Sequence, residues 1–313
     1  MSIRKVHIIS LGCPKNLVDS EVMAAILDEG GYRLTDRPEE AGALIVNTCA
    51  FILPAREEAV AEILRLAAWK QAGGPGVRLI VTGCLPQRYG RELEAALPEV
   101  DLFLGTAEVP HIARHLDDLL SRPGMPRRRS ITGRPVFLMN AGHKRLISTP
   151  ANSAYIKIAE GCSNRCSYCM IPDIRGRARS RPVDDIVKEA ESLAARGIRE
   201  LIVTAQDTTA YGLDLRGKPT LGRLLRDLAA IDGLSWIRVL YAYPGRLTDE
   251  LLRTIAEEDK ICRYLDIPIQ HCDDAILEAM RRRGNGTQIR SAIAKVREFV
   301  PGIALRTSLI VGF

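Results

Sequence analysis

Aromatic residues make up only 5% of the 313 residues, with two tryptophans among them. So thin a supply disfavours a surface of stacked rings for single-stranded nucleic acid. No apolar run reaches the length of a membrane span, so no membrane partner is expected. The start, Met1-Ser2-Ile3-Arg4-Lys5-Val6-His7-Ile8-Ile9-Ser10, enters a strand-like pattern at once and lacks the apolar core and cleavage site of a secretory signal. A cytoplasmic location is therefore expected, where reduced cysteines point to metals or catalysis and not to disulfides. Acidic residues are missing between Ser121 and Pro150, while Arg122, Arg127, Arg128, Arg129, Arg134, Lys144 and Arg145 all fall there. That segment accounts for the formal net charge of +6. It reads as a basic linker over 122–150, open to two interpretations: contact with RNA phosphates or a solvated connection.

What is present suits a globular protein of about two domains, with 46% hydrophobic residues to fill their cores. Strands are expected at Lys5 to Ser10, Ala43 to Asn47, Arg78 to Thr82 and Asp101 to Leu104, each followed by a helix. In the first of these helices Asn16, with Asp19 three residues on, resembles a capped start, and Gly30-Gly31 the stop. The fold class is thus α/β, with an N-terminal parallel-sheet domain over 1–121. From 151 to 313 five further strand and helix repeats, counted from Tyr155 and ending in a strand from Ala304 to Val311, read as a partial (β/α) barrel with its site at the carboxyl ends of the strands.

Two sets of cysteines carry the chemistry. Cys13, Cys49 and Cys84 each stand in the loop after a strand, and ligands of open parallel sheets bind beyond those carboxyl ends. Taken singly, each is explained as a small buried apolar residue; taken together they point to a three-thiolate metal site. Cys162, Cys166 and Cys169 follow the alternation Tyr155-Ile156-Lys157-Ile158-Ala159 and pack three thiols into eight residues. A structural zinc site wants a fourth Cys or His close by, and none follows until Cys262. Three thiolates can hold three corners of a four-iron, four-sulfur cluster and leave one iron open. Cys262 and Cys272 have no partners at ligand spacing and are read as structural.

The spacing C-x-x-x-C-x-x-C in this strand context resembles that of the radical S-adenosylmethionine (SAM) enzymes, which makes the second domain a radical SAM core. Preceded by a domain carrying Cys13, Cys49 and Cys84, the whole chain resembles the methylthiotransferase family. The run Ser10-Leu11-Gly12-Cys13-Pro14-Lys15-Asn16-Leu17-Val18-Asp19-Ser20-Glu21 is similar to the branch that modifies an aspartate of ribosomal protein uS12, whereas the tRNA-modifying branch has Gln-Met-Asn in place of Pro14-Lys15-Asn16. The resemblance implies two 4Fe-4S clusters, one on each cysteine set, and two uses of SAM. One SAM methylates a sulfide at the N-terminal cluster. The other yields the radical at the cluster of Cys162, Cys166 and Cys169, the catalytic cysteines. The implied product is 3-methylthioaspartate, with uS12 or the small ribosomal subunit as partner and a reductant such as flavodoxin or ferredoxin.

The same resemblance places Tyr168 near the adenine and Arg306 on the adenine-contacting strand. Gln206, Asp207 and Gln270 are further candidates for cofactor binding because they close barrel strands. Two other readings stay open: a tRNA adenosine methylthiotransferase, and an inactive metal-binding or RNA-binding fragment. Members of the family continue with a sixth strand and a C-terminal TRAM domain, so a C-terminally truncated chain is expected.

Overall fold

The computed structural model describes residues 4–74, 76–121 and 130–313. Its chain divides into two compact units, one of residues 1–137, 143–148 and 173–176, the other of residues 138–142, 149–172 and 177–313. Arg122, Arg127, Arg128 and Arg129 of the basic segment lie outside the described residues.

The first unit runs β1 (Lys5–Ser10), α1 (Pro14–Glu29), β2 (Arg33–Leu34), β3 (Ala43–Thr48), α2 (Leu53–Gly73), β4 (Arg78–Gly83), α3 (Cys84–Ala96), β5 (Leu102–Leu104), α4 (Ile112–Ser121) and β6 (Ser130–Ile131). Its sheet has the order β2-β1-β3-β4-β5-β6, with every pair parallel. All six residues of β3 are buried, as expected of a central strand with helices over both faces. The two edge strands, β2 and β6, are two residues each and carry no periodicity for a sequence reading to find.

The expected Asn16 cap is not what forms. Helix α1 starts at Pro14, with Cys13 as the capping residue and no side-chain cap bond. Proline tolerates that first position because its missing N–H would have no helical partner. Asn16 therefore lies inside the helix, fully buried. Glycine does end the helix as expected, with Gly31 in the left-handed region at φ 82°.

From Ser153 onward the chain, which belongs to the second unit except for residues 173–176 at the end of α5, runs β7 (Ser153–Lys157), β8 (Ala159–Glu160), α5 (Ile171–Arg175), β9 (Arg179–Ser180), α6 (Val183–Ala195), β10 (Glu200–Thr204), α7 (Leu221–Ala229), β11 (Trp236–Val239), α8 (Asp249–Glu257), β12 (Ile261–Asp266), α9 (Asp274–Ala279), α10 (Gly286–Phe299) and β13 (Ala304–Arg306). Five strands form a parallel sheet in plain sequence order, β7-β10-β11-β12-β13. Such an order is that of an unrolled barrel wall. Helix α7 shows why these helices cover it: Leu221, Leu224, Leu225 and Leu228 recur at helical spacing and are all buried, and Thr220 caps the start.

The last strand is shorter than the expected Ala304 to Val311. Thr307 turns its hydroxyl onto the Ile267 carbonyl, at 2.8 Å, which interrupts the ladder; pairing resumes only as a bridge between Gln270 and Leu309. Among the described residues no helix is long and apolar enough to cross a membrane.

Candidate functional site

In the first unit, β1, β3 and β4 are neighbours, so the loops at their carboxyl ends are neighbours too. Cys13 caps α1, Cys49 follows β3 directly, and Cys84 is the first residue of α3. The three come together in one group: a Cβ at Gly12 would lie 3.1 Å from the Cys49 sulfur, and the Cys84 sulfur lies 3.7 Å from Oδ1 of Asn16, three residues after Cys13. Close approach of the loops demands glycine at position 12. Gly12 has φ +90°, and a Cβ there would meet the Cys49 Cβ at 2.5 Å.

Asn16 is the hub of this site. Its side-chain amide donates to the Leu11 carbonyl at 3.1 Å and to the Thr48 carbonyl at 2.8 Å, tying the first cysteine loop to the second. Its side-chain carbonyl accepts from Arg175. Arg175 also donates to Asp19 Oδ2 at 2.6 Å and to the Cys84 sulfur at 3.4 Å. Sequence reasoning missed Arg175 because it stands 91 residues beyond Cys84, just after the other cysteine set.

Burial pushes the Cys84 thiol up to about 11, despite the opposing charge of Arg175. Cys49 is raised as well, again chiefly by burial. Burial also acts to raise Cys13, but Lys15, Arg175 and backbone N–H donors together outweigh it, and its thiol is lowered. The thiolate is the reactive form. In the metal-free chain at neutral pH, Cys13 is therefore expected to be alkylated by iodoacetamide before Cys49 and Cys84, by about tenfold or more in rate. Peptide mass mapping over a time course checks this, and equal labelling of the three would contradict it.

In the second unit the loop carrying Cys162, Cys166 and Cys169 begins where the antiparallel ribbon of β8 and β9 closes. Gly161 and the three half-buried cysteines follow. Asn164 anchors one side of the loop. It donates to Asp207 Oδ2 at 2.9 Å and accepts from Arg246 Nη2 at 3.0 Å, while Arg246 Nη1 lies 2.5 Å from the same Asp207 oxygen. Ser167 anchors the other side, through the Met280 carbonyl at 3.0 Å and the Ala279 carbonyl at 2.8 Å. Arg282 reaches the Cys166 sulfur at 4.0 Å and the Tyr168 hydroxyl at 3.2 Å. Burial raises the Tyr168 phenol, with the nearby Arg282 charge opposing.

A cavity of about 200 Å³ opens beside Cys162, with Asn164, Asp207 and Arg246 in its lining. Gln206 donates to Glu160 at 2.6 Å, and Glu160 in turn holds the buried Lys157 ammonium at 2.9 Å. Gln270 sits at φ +69°, left-handed for a residue with a side chain, where β12 gives way to the loop. Arg306 lies on β13 with Asp266 beside it, their charged atoms 3.0 Å apart. Tyr243, at the end of the third barrel strand, is stacked by Arg282 at 4.5 Å and Arg246 at 5.0 Å. Neither arginine was among the expected site residues, since isolated arginines carry no spacing signal.

Register shows what lines the sheet. Lys157 pairs with Thr204, Val203 with Val239, Val239 with Leu265, and Asp266 with Arg306. Lys157, Thr204, Asp266 and Arg306 therefore share one level and one face of the sheet. The Thr204 hydroxyl, Gln206 Oε1 and both Asp266 carboxylate oxygens are buried without a hydrogen-bond partner among the described residues. Arg306 neutralises Asp266 by proximity, but its N–H groups are not aimed at those oxygens. Buried oxygens in this state have acceptor capacity left for a water, an ion or a polar ligand.

Among the described residues no three His, Cys, Asp or Glu side chains are close enough to share one metal ion. A four-iron cluster asks for wider spacing, because each thiolate binds a different iron.

The profile of the Radical SAM superfamily matches residues 156–313, and that of the uncharacterized protein family UPF0004 matches residues 5–105. The parallel half-barrel with its three-cysteine loop is thus of the radical SAM class, whose chemistry implies SAM and a 4Fe-4S cluster. Among sequence relatives, the ribosomal protein uS12 methylthiotransferase RimO of Syntrophus aciditrophicus is 64% identical over 98% of this chain and 68% of its own length. That of Geobacter sulfurreducens is 55% identical over 99% and 68%. The chain belongs to the RimO family of radical SAM methylthiotransferases. Solved structures share the fold: the radical SAM methyltransferase TsrM from Kitasatospora setae (TM-score 0.68, 16% identity, 98% of this chain, 67% of that one) and the cobalamin-dependent radical enzyme OxsB (0.66, 11%, 99% and 49%).

Proposed function

We propose that this chain replaces a hydrogen on the β carbon of an aspartate in ribosomal protein uS12 by a methylthio group, giving 3-methylthioaspartate. The observation that carries the reading is the convergence of Cys13, Cys49 and Cys84 in one unit of a chain whose other unit carries the radical SAM loop. The donor sets fit two clusters. Each is all thiolate, and the Arg175 and Lys15 charges beside the first offset the negative charge that three thiolates bring. When bound, the clusters and SAM supply the radical that breaks an unactivated carbon–hydrogen bond and the sulfur that replaces it.

The protein's part is binding and orientation. Cys162, Cys166 and Cys169 are the ligands of the radical-generating cluster, and their loop is held by Asn164, Ser167 and Arg282. Glu160 accepts from the Gly161 N–H at 3.2 Å and from Gln206, which sets the entry of the loop against the barrel. SAM takes the cavity beside Cys162 and the adjoining strand ends, with Tyr168, Gln206, Asp207, Gln270 and Arg306 as its contacts. The unpaired oxygen of Gln206 supports that assignment. Asp207 acts there mostly through Asn164 and Arg246, since Thr209 takes its other oxygen at 2.7 Å.

The reading includes a cytoplasmic location beside the ribosome and a one-electron reductant of the flavodoxin or ferredoxin type. Contact with RNA rests on fewer residues of the basic segment than its composition suggests. Arg145 is buried against Glu21, and Lys144 is paired with Glu29 at 2.5 Å, which leaves Arg134 among the described ones.

Iron and acid-labile sulfide per chain, after anaerobic reconstitution, test the proposal. The Cys13, Cys49 and Cys84 triple alanine variant is expected to lose about half of both and all methylthio transfer, while retaining SAM cleavage. A wild-type chain that holds only one cluster would overturn the two-cluster reading. Methylthioadenosine in treated tRNA, with uS12 unmodified, would move the substrate to RNA.

A further inference from the structure

We propose that Arg175 is a positioning residue of the N-terminal thiol site, and that its fixed charge sets the reduction potential of the cluster held there. The inference rests on the two-cluster reading above. Three observations carry it, all within the first unit.

Arg175 is 3% exposed, and it stays charged under any physiological condition. One edge of its guanidinium is neutralised by Asp19, itself 2% exposed, at 2.6 Å. The other edge faces the Asn16 carbonyl and the Cys84 sulfur. The donor is held from both sides, so its direction toward sulfur is fixed by the fold and does not depend on the metal.

The site could have been built otherwise. An arginine serving only to satisfy Asp19 has no need to lie 3.4 Å from a thiol. Asn16, which ties the Cys13 and Cys49 loops together, also accepts from this arginine, so one guanidinium is connected to all three cysteine loops. Hydrogen bonds and positive charge at the sulfurs of an iron–sulfur cluster stabilise its reduced, more negative form. Arg175 therefore raises the potential of this cluster above that of an otherwise identical site lacking it.

The test uses the full chain with Cys162, Cys166 and Cys169 replaced by alanine, so that only the N-terminal cluster is seen. Its midpoint potential is measured by EPR-monitored redox titration, with iron and sulfide counted in parallel. Arg175→Gln, which keeps a donor and loses the charge, is expected to load its cluster on reconstitution and to shift the potential negative. Arg175→Lys, which keeps the charge without the fork, is expected to shift less. Asp19→Asn, which leaves Arg175 without its counter-charge, is expected to shift it positive. If Arg175→Gln fails to load, Asp19→Asn decides: a potential displaced positive supports the proposal and an unchanged one overturns it. A loaded Arg175→Gln variant at the parent potential overturns it as well, leaving the two-cluster reading intact. A parent chain with no cluster overturns the two-cluster reading itself.

Discussion

Replacing Cys162, Cys166 and Cys169 together by alanine is expected to reduce both SAM cleavage and methylthio transfer to background, while the iron bound by Cys13, Cys49 and Cys84 remains. In the proposed reading all the thiol ligands of that cluster come from one loop of eight residues, so the triple variant removes the whole set at once. The loop does not owe its shape to the thiols alone, although the Asn164 N–H does donate to the Cys162 sulfur at 3.4 Å. Asn164 is fixed by Asp207 and Arg246, and Ser167 by the end of α9. The cysteines are half-buried, and truncating such groups costs about 1 kcal/mol or less at each site. The variant should therefore fold, with far-ultraviolet circular dichroism like that of wild type. Chromatography of 5′-deoxyadenosine after reduction with dithionite measures the loss. Cleavage persisting at a tenth of the wild-type rate or more would mean that the radical arises elsewhere.

The largest expected effect on stability is at Glu21. This carboxylate is 2% exposed and lies inside helix α1, where a charge without partners would be very costly. Arg145 donates to one of its oxygens from Nε at 3.1 Å and Nη2 at 2.6 Å, and Ser148 gives the other its backbone N–H at 2.8 Å and its hydroxyl at 2.9 Å. Glu21→Ala leaves the Arg145 guanidinium buried beside a small void. Breaking a buried pair from one side costs about 3–5 kcal/mol, a large part of what a domain of this size possesses. Urea unfolding of the full chain measures it. The double variant Glu21→Met with Arg145→Met is expected to recover most of the loss, because two apolar side chains need no counter-charge. A loss below about 1 kcal/mol for Glu21→Ala would mean that water reaches the pair.

That pair also shows where sequence reasoning reached its limit. The excess of arginine in the basic segment was visible, but one of those arginines is core. Arg145 and Glu21 are 124 residues apart, and nothing local to either marks them as partners. Asn16 is a similar case. A polar residue near a helix start reads as a cap, yet the chain spends it on three loops that meet only after β1, β3 and β4 have aligned. The strands themselves were legible because burial on both faces writes continuous apolar runs, as in Ala43-Leu44-Ile45-Val46. The helices were legible through spacing, as in α7.

By itself the amino-acid sequence determined the α/β class, the order of strands and helices, and the six cysteines in their two sets. Those properties follow from short-range spacing: alternation for strands, helical recurrence for helices, and thiols placed where strands end. Only the tertiary structure decided which charged groups serve those thiols. Arg175 is brought to Cys84 and Asp19, Arg282 to Cys166, and Arg246 to the Asp207 that steadies the other loop. Such contacts depend on the parallel sheets bringing distant strand ends side by side, and burial then makes an unpaired charge too costly to leave. Pairing of that kind is a property of the packed chain, with no counterpart in the spacing of its residues.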